Sequence, residues 1–277
     1  MIDYTNLPKV AIAMSIYKND KVKFVTQSIE SLLNQTYLNR HIFIEVDGDI
    51  SYELRTLLEK YNELNNIDVS FNQQCKGLAY RLNNIISYIN NDSTFDFMAR
   101  MDADDISHPQ RIEKQVNFML ENPNVSVIGS DVIEIDVQDR DIFYKKMESS
   151  HEKIKENIIK KCPFNHPTVM FRVSVLKYYR YDSKLLNTQD YYLWVDLLKA
   201  GYVFSNINEP LLKFRVDDDF HTRRGFKKAI NDTKSRIYAV KVLNNISLSN
   251  INHIVLLFLL RISPSFLKKL AYKKFRN

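Results

Sequence analysis

The chain of 277 residues can bury a full core as one large domain, or as one domain with a smaller appendage, and its 45% hydrophobic and 26% charged residues are those of a globular rather than a disordered protein. The net charge of +6 is unevenly placed: from Arg223 to Asn277 thirteen Lys or Arg stand against Asp232 alone, a surplus of +12 that leaves −6 on residues 1–222. An acidic body excludes a phosphate track for nucleic acid, which needs basic residues along it, so no nucleic-acid partner is expected.

The amino terminus shows no basic region followed by an apolar run, so no signal peptide is read, and Cys75 and Cys162 stand far apart in no metal-binding spacing, which fits reduced thiols in a cytosolic compartment. Lys9 to Ile16 reads as a buried strand, broken by the turn chemistry of Tyr17-Lys18-Asn19-Asp20. Phe24, Ile29, Leu32 and Leu33 then recur at helical spacing, and His41 to Val46 is a second strand ending at Asp47-Gly48-Asp49. Leu54, Leu57, Leu58, Tyr61 and Leu64 mark an amphipathic helix over Ser51 to Leu64, with Ser51 as its cap. Ile67 to Phe71 is a third strand. Lys76-Gly77-Leu78-Ala79-Tyr80-Arg81 follows, a glycine at a helix start with basic side chains close by, which is either an anion site or a close-packed turn. Phe95 to Arg100 is a fourth strand, Pro109 to Glu121 a helix, and Val125 to Gly129 a fifth strand.

The fourth strand runs directly into Asp102, Asp104 and Asp105. Carboxylates so close repel one another and raise their own pKa values unless a cation neutralises them, and an all-oxygen set suits a hard divalent ion, Mn²⁺ or Mg²⁺. The competing reading is a solvated loop in which Asp105 or Ser107 caps the helix at Pro109. Strand and helix alternate three times before this point, which predicts an α/β fold with a mostly parallel sheet and helices on both faces, and such sheets bind ligands at the carboxyl ends of their strands. No Gly-x-Gly-x-x-Gly follows the first strand and no Gly-x-x-x-x-Gly-Lys-Ser/Thr is present, which argues against a dinucleotide site and a P-loop.

The first strand with Tyr17, the Val46-Asp47-Gly48 strand end, Lys76-Gly77-Leu78-Ala79 and Met101-Asp102-Ala103-Asp104-Asp105, in that order, resemble the nucleotide-binding half of family 2 glycosyltransferases with the GT-A fold. The likeness runs from about Lys9 to Val216. Asn165-His166-Pro167-Thr168 is similar to the segment that opens the acceptor half in bacterial polysaccharide members, and Thr188-Gln189-Asp190-Tyr191-Tyr192-Leu193-Trp194 to their Glu-Asp-Tyr-x-Leu-Trp helix start, with Gln189 in place of Glu. Glu209 to Arg215 resembles the next strand, whose usual Tyr-Arg-x-His ends here with Asp217 in place of His.

The resemblance implies a nucleotide-sugar site of Ser15, Tyr17, Asp47, Lys76, Gly77, Arg81, Asp102 and Ala103. Asp47 would accept from the uracil N3–H unless it is merely a turn residue before Gly48. Asp104 would hold the metal, with Asp102 near the ribose and the metal's waters. Asp190 is implied as general base, an alternative to simple helix-start chemistry; at a helix amino terminus its pKa would be lowered, so burial near the acceptor must offset that. A base opposite the leaving group implies inversion at the anomeric carbon. His166 and Gln189 are acceptor candidates, His166 equally a packing residue. Arg215, Arg223 and Arg224 are candidates to clamp an acceptor phosphate, or a solvated basic face. Trp194 is read as core.

The expected division is a GT-A domain over 1–220, with a nucleotide-sugar half (1–130) and an acceptor half (131–220), then a basic amphipathic tail (221–277). Ile251 to Ile262 is apolar but short of the roughly 20 residues that span a bilayer. The basic sequence after it suits an anionic membrane surface, a helical pair packed on the domain, or a dimer contact. The expectation is an inverting, metal-dependent enzyme transferring a hexose or N-acetylhexosamine from a UDP-sugar to a lipid-diphosphate-linked saccharide in bacterial surface polysaccharide assembly, peripheral on the cytoplasmic face of the membrane. The rivals are a nucleotidyltransferase and a non-catalytic membrane-bound binding module.

Overall fold

The computed structural model describes residues 7–185, 187–216 and 226–263. Strand β1 (Val10–Tyr17) is apolar at nearly every position because both of its faces are covered. It lies between β2 (Arg40–Asp47) and β4 (Phe97–Met101), parallel to both, and β3 (Ile67–Asn72) extends the sheet in parallel beyond β2. The crossovers are α1 (Val22–Leu33), α2 (Tyr52–Tyr61) and α3 (Leu78–Asn91). Ser51 caps α2 by accepting from the Leu54 amide at 3.2 Å. Alternate residues of β1 feed opposite cores: Ala11 and Ala13 pack with Leu82, Ile85 and Ile86 of α3, while Ile12 and Met14 pack with Val25, Ile29 and Leu32 of α1. In register, Tyr17 pairs with Asp47 and Met14 with Met101, so the β1, β2 and β4 carboxyl ends share one edge.

After β4 come β5 (Ile106–Ser107), α4 (Arg111–Glu121), β6 (Val125–Ile135), β7 (Asp141–Lys145), α5 (His151–Asn157), a 3-10 turn over His166–Thr168, β8 (Met170–Arg172), α6 (Val173–Leu176), α7 (Gln189–Lys199) and β9 (Val203–Arg215). These strands continue the same sheet, in the order β3-β2-β1-β4-β8-β6-β9-β5 with β7 on β6. Beyond β4 it is mixed, β8 being antiparallel to both β4 and β6, and β9 parallel to β6. Helices α8 (Phe226–Val242) and α9 (Leu248–Ile262) follow. Tyr238 of α8 donates to Asp196 of α7 at 2.5 Å, and Arg261 of α9 pairs with Asp232 of α8 at 2.9 Å. Among the described residues no helix is long and apolar enough to cross a membrane.

Two details differ from the sequence reading. The fifth strand extends past Gly129 to Ile135, because Asp131 turns inward to accept from Tyr144 and the Met147 amide and so is no strand breaker. Neither Asp105 nor Ser107 caps α4: Gln110 holds that position, Asp105 is buried, and Ser107 belongs to β5, its amide donating to Ser31. Gly129 of β6 is packed so closely that an added Cβ would lie 2.7 Å from Phe164 and against Asn206. Gly129→Ala is expected to cost about 1–3 kcal/mol by overpacking, seen as a lowered midpoint in thermal unfolding followed by circular dichroism.

Candidate active site

The edge where β1, β2 and β4 end carries the first part of the site. Asp47 is buried, and its carboxylate accepts from the Lys76 amide (2.8 Å), the Gly77 amide (2.9 Å), Arg81 Nε (2.7 Å) and the Cys75 thiol (3.2 Å). Burial opposes its ionisation, but the donors from Lys76, Arg81, Cys75 and Gly77 together hold its pKa below the ordinary value. Asp47 thus ties the end of β2 to the amino terminus of α3, where Gly77 at φ +87° makes a turn that a side chain would strain. Arg81 also faces Glu45 at 3.6 Å. Tyr17 is exposed at the rim, Ser15 is half-buried opposite Glu45, and exposed Lys76 lies 4.5 Å over the Tyr80 ring.

The acidic loop is built from more than its own sequence. Buried Arg100 pairs with Asp102, whose carbonyl accepts from Ser28 at 2.9 Å. Asp20, from the turn after β1, has its pKa raised to about 7, by burial first and then by the charges of Asp104 and Asp102. Asp105 is pushed well above the usual carboxylate range, again by burial and then by Asp104 and Asp102, while its Oδ1 accepts from the Arg215 amide at 2.8 Å. Among the described residues no three His, Cys, Asp or Glu side chains converge closely enough to hold a metal by themselves. Asp102 and Asp104, with Asp20 beside them, nevertheless form an oxygen-only set whose mutual repulsion a hard divalent cation would relieve. Such a cation would complete its shell with water and phosphate oxygens. The residues present therefore fit Mn²⁺ or Mg²⁺.

The sequence offered Arg215 as a phosphate clamp, but the structure uses it as a tie. The buried guanidinium donates to the Asp104 carbonyl (2.8 Å), the Asp136 carbonyl (3.0 Å), Asp139 (2.5 Å) and Gln27 (3.1 Å), and it lies 4.1 Å over the Phe24 ring. Those bonds pin the acidic loop to α1 and to the β6–β7 turn and leave little of Arg215 for a ligand. Arg223 and Arg224, and the tail from 264, lie outside the described residues.

The acceptor candidates lie on the 3-10 turn before β8 and on the first turn of α7. His166 Nε2 is 2.9 Å from the Tyr181 hydroxyl, and its ring makes edge contacts with Tyr181 and buried Trp194. Burial, with Arg100 nearby, pushes the imidazole well below its ordinary 6.5, so it is neutral at pH 7. Asp190 lies half-buried in the first turn of α7. Burial raises its carboxyl; the Tyr191 amide, its own amide and Arg236 lower it; Asp102 raises it; the net direction is up. Burial therefore outweighs the helix terminus. Tyr181, which holds His166, feels the charges of both Asp190 and Asp102. Gln189, next to Asp190, keeps a buried Oε1 with no hydrogen-bond partner among the described residues. Cys162, raised to about 11 by burial and then by Asp190, borders a cavity of about 520 Å³ walled by Phe143, Tyr144, Lys145, Met147 and Phe214.

Sequence reasoning missed Asp20, Arg100, Tyr181 and Arg236. Asp20 carried a signal, its place three residues after the strand-end Tyr17, and so did Arg100, two residues before Asp102; Tyr181 and Arg236 are joined to the site by folding alone.

An open sheet with an acidic loop at the switch between its parallel and mixed halves defines the GT-A class of nucleotide-sugar transferases, and solved members superpose on this chain. Staphylococcus aureus TarS 1-349 in complex with UDP-GlcNAc matches 97% of it over 85% of its own chain, with a TM-score of 0.61 at 14% identity. Residues 11–180 match the glycosyl transferase family 2 profile, and the chain belongs to that family. Among its relatives, the O-antigen biosynthesis glycosyltransferase WbnJ of Escherichia coli is 30% identical over 85% of this chain and 89% of its own. The UDP-Gal:alpha-D-GlcNAc-diphosphoundecaprenol beta-1,3-galactosyltransferase of Escherichia coli is 28% identical over 96% of both chains. The first-half motifs that carried the resemblance fall inside the matched span; the Asp190 and Arg215 segments fall beyond it.

Proposed function

We propose that the chain is an inverting, metal-dependent glycosyltransferase that moves a hexose or N-acetylhexosamine, galactose or glucose type favoured, from a UDP-sugar to a saccharide carried on a lipid diphosphate, in assembly of a bacterial surface polysaccharide. The observation that carries the reading is that Asp190, in the first turn of α7, feels the charge of Asp102 at the nucleotide edge, while Tyr181, the partner of His166, feels both. The names of the related galactosyltransferase and of WbnJ support the donor, the diphosphate-linked acceptor and the pathway class.

In this reading Ser15, Tyr17, Lys76, Gly77, Arg81, Asp102 and Ala103 surround the nucleotide. A uracil N3–H at Asp47 would share an oxygen with a donor already bound there. Asp104 and Asp102 would hold Mn²⁺ or Mg²⁺, which when bound supplies positive charge to the leaving diphosphate. Arg215 fixes the backbone of that loop. Asp190 takes the proton of the acceptor hydroxyl, its raised pKa bringing its basicity nearer to the working pH. Attack from the face opposite the leaving group inverts the anomeric centre. His166 and Gln189 offer neutral hydrogen bonds to the acceptor. The division into nucleotide-sugar half, acceptor half and tail follows these roles, with the enzyme working at the cytoplasmic face of the membrane, where such an acceptor lies.

The test is a panel of UDP-sugars with a short-chain diphosphate-lipid glycan and Mn²⁺. The expected result is UDP release and an inverted glycosidic product, abolished by chelator. Pyrophosphate release from UTP and a sugar 1-phosphate in a parallel reaction would instead make the chain a nucleotidyltransferase, and no turnover with any donor would leave a binding module.

A further inference from the structure

Helix α9 is amphipathic in an unusual sense. Its inner edge, with Asn250 and Ile254, is buried, and Arg261 ties it to Asp232 of α8. Leu248, Ile251, Val255, Leu256, Leu259 and Ile262 are between 45% and 74% exposed. At 100° per residue all but Leu256 fall within roughly a quarter of the helix circumference. Large exposed apolar side chains are ordinary when scattered singly, whereas a continuous stripe marks an interaction surface.

We infer that this stripe seats α9 in the headgroup region of a bilayer containing anionic phospholipid. At 1.5 Å per residue its 15 residues reach roughly 22 Å, against about 30 Å of hydrocarbon, so it lies along the surface and does not cross. Charge selects the occupant. The segment from Arg223 onward holds thirteen Lys or Arg and one acid, and five of the thirteen, Lys268, Lys269, Lys273, Lys274 and Arg276, follow Ser263 without an acid. A second copy would bring a segment of the same positive charge and be repelled, whereas anionic headgroups attract it. This gives a definite surface to the membrane location in the proposed function; the contact itself requires neither donor nor acceptor.

The experiment is co-sedimentation of the full chain with phosphatidylcholine vesicles, with and without phosphatidylglycerol, alongside UDP-sugar hydrolysis in the same samples. Binding is expected to need phosphatidylglycerol, to weaken with salt, and to fall about tenfold in the exposed-site double variant Val255→Glu/Leu259→Glu, with hydrolysis unchanged. Ile251→Trp, which keeps the stripe apolar, is expected to shift its emission to the blue on those vesicles against the constant background of buried Trp194. Three results overturn the inference: a chain that stays in the supernatant, a double variant that binds undiminished, or a dimer that the double variant dissolves without any vesicle binding. Absent hydrolysis with intact vesicle binding would count against the enzymatic reading and leave this surface standing.

Discussion

Asp104→Ala is expected to lower sugar transfer by on the order of 10³-fold while leaving the fold intact, or slightly more stable, in the absence of metal. The two halves of that outcome have one cause. The acidic loop is positioned through its backbone: Arg215 Nε holds the Asp104 carbonyl at 2.8 Å, and Asp105 holds the Arg215 amide at 2.8 Å. Removing the Asp104 carboxylate therefore leaves the loop tied. It also removes one of the charges that drive Asp20 up to about 7. A carboxyl whose pKa is raised on folding binds more protons in the native state than in the unfolded one. Stability then falls as pH rises from near 4 toward 7, and the variant should reduce that fall. A cation held by Asp102 and Asp104 would relieve the same repulsion, so Mn²⁺ with UDP is expected to raise the thermal midpoint of the parent more at pH 8 than at pH 5, and to do so weakly in the variant. Calorimetric titration of Mn²⁺ in the presence of UDP checks the site directly; undiminished transfer by Asp104→Ala would sink the assignment.

That tie explains where the sequence was legible and where it was not. β1, β2 and β4 are readable because strands covered on both faces need unbroken apolar runs, and each ends where an Asp or Tyr interrupts the run. The order of elements then brings Tyr17, Asp47 and Asp102 to one edge with no tertiary information. Asp105 failed as a helix cap because its partner, the Arg215 amide, is 110 residues away. Arg215 failed as a phosphate ligand for the matching reason: among neighbouring basic residues it looks free, but its acceptors come from three distant stretches, at Asp104, at Asp136 and Asp139, and at Gln27. Tyr181 and Arg236 carry no local pattern at all. A residue whose role is to position another leaves no periodicity, only a partner.

Asp190→Asn is expected to lower transfer by about 10²–10⁴-fold with little change in UDP affinity, because amide and carboxylate have nearly the same shape and only the proton acceptor is lost. Helix α7 should survive the exchange. Its buried face, Leu193, Trp194, Leu197 and Leu198, does not involve Asp190, and Thr188 makes no side-chain cap bond for Asp190 to support. The pH profile separates a base from a helix-start residue. Burial holds the Asp190 carboxyl above the ordinary 3.8, and a base must be ionised, so the parent's acid limb should lie above that value, with the rate falling as pH drops through it. Arg236 provides the control. It stacks 4.0 Å over the Tyr191 ring, donates to the Ile158 carbonyl at 2.9 Å, and its charge lowers the Asp190 pKa. Arg236→Met should therefore move the acid limb further upward while Asp190 remains in place, a displacement that a merely structural Asp190 would not give. If Asp190→Asn transfers sugar at the parental rate, or if Arg236→Met lowers the rate equally at every pH, the base lies elsewhere on the acceptor side.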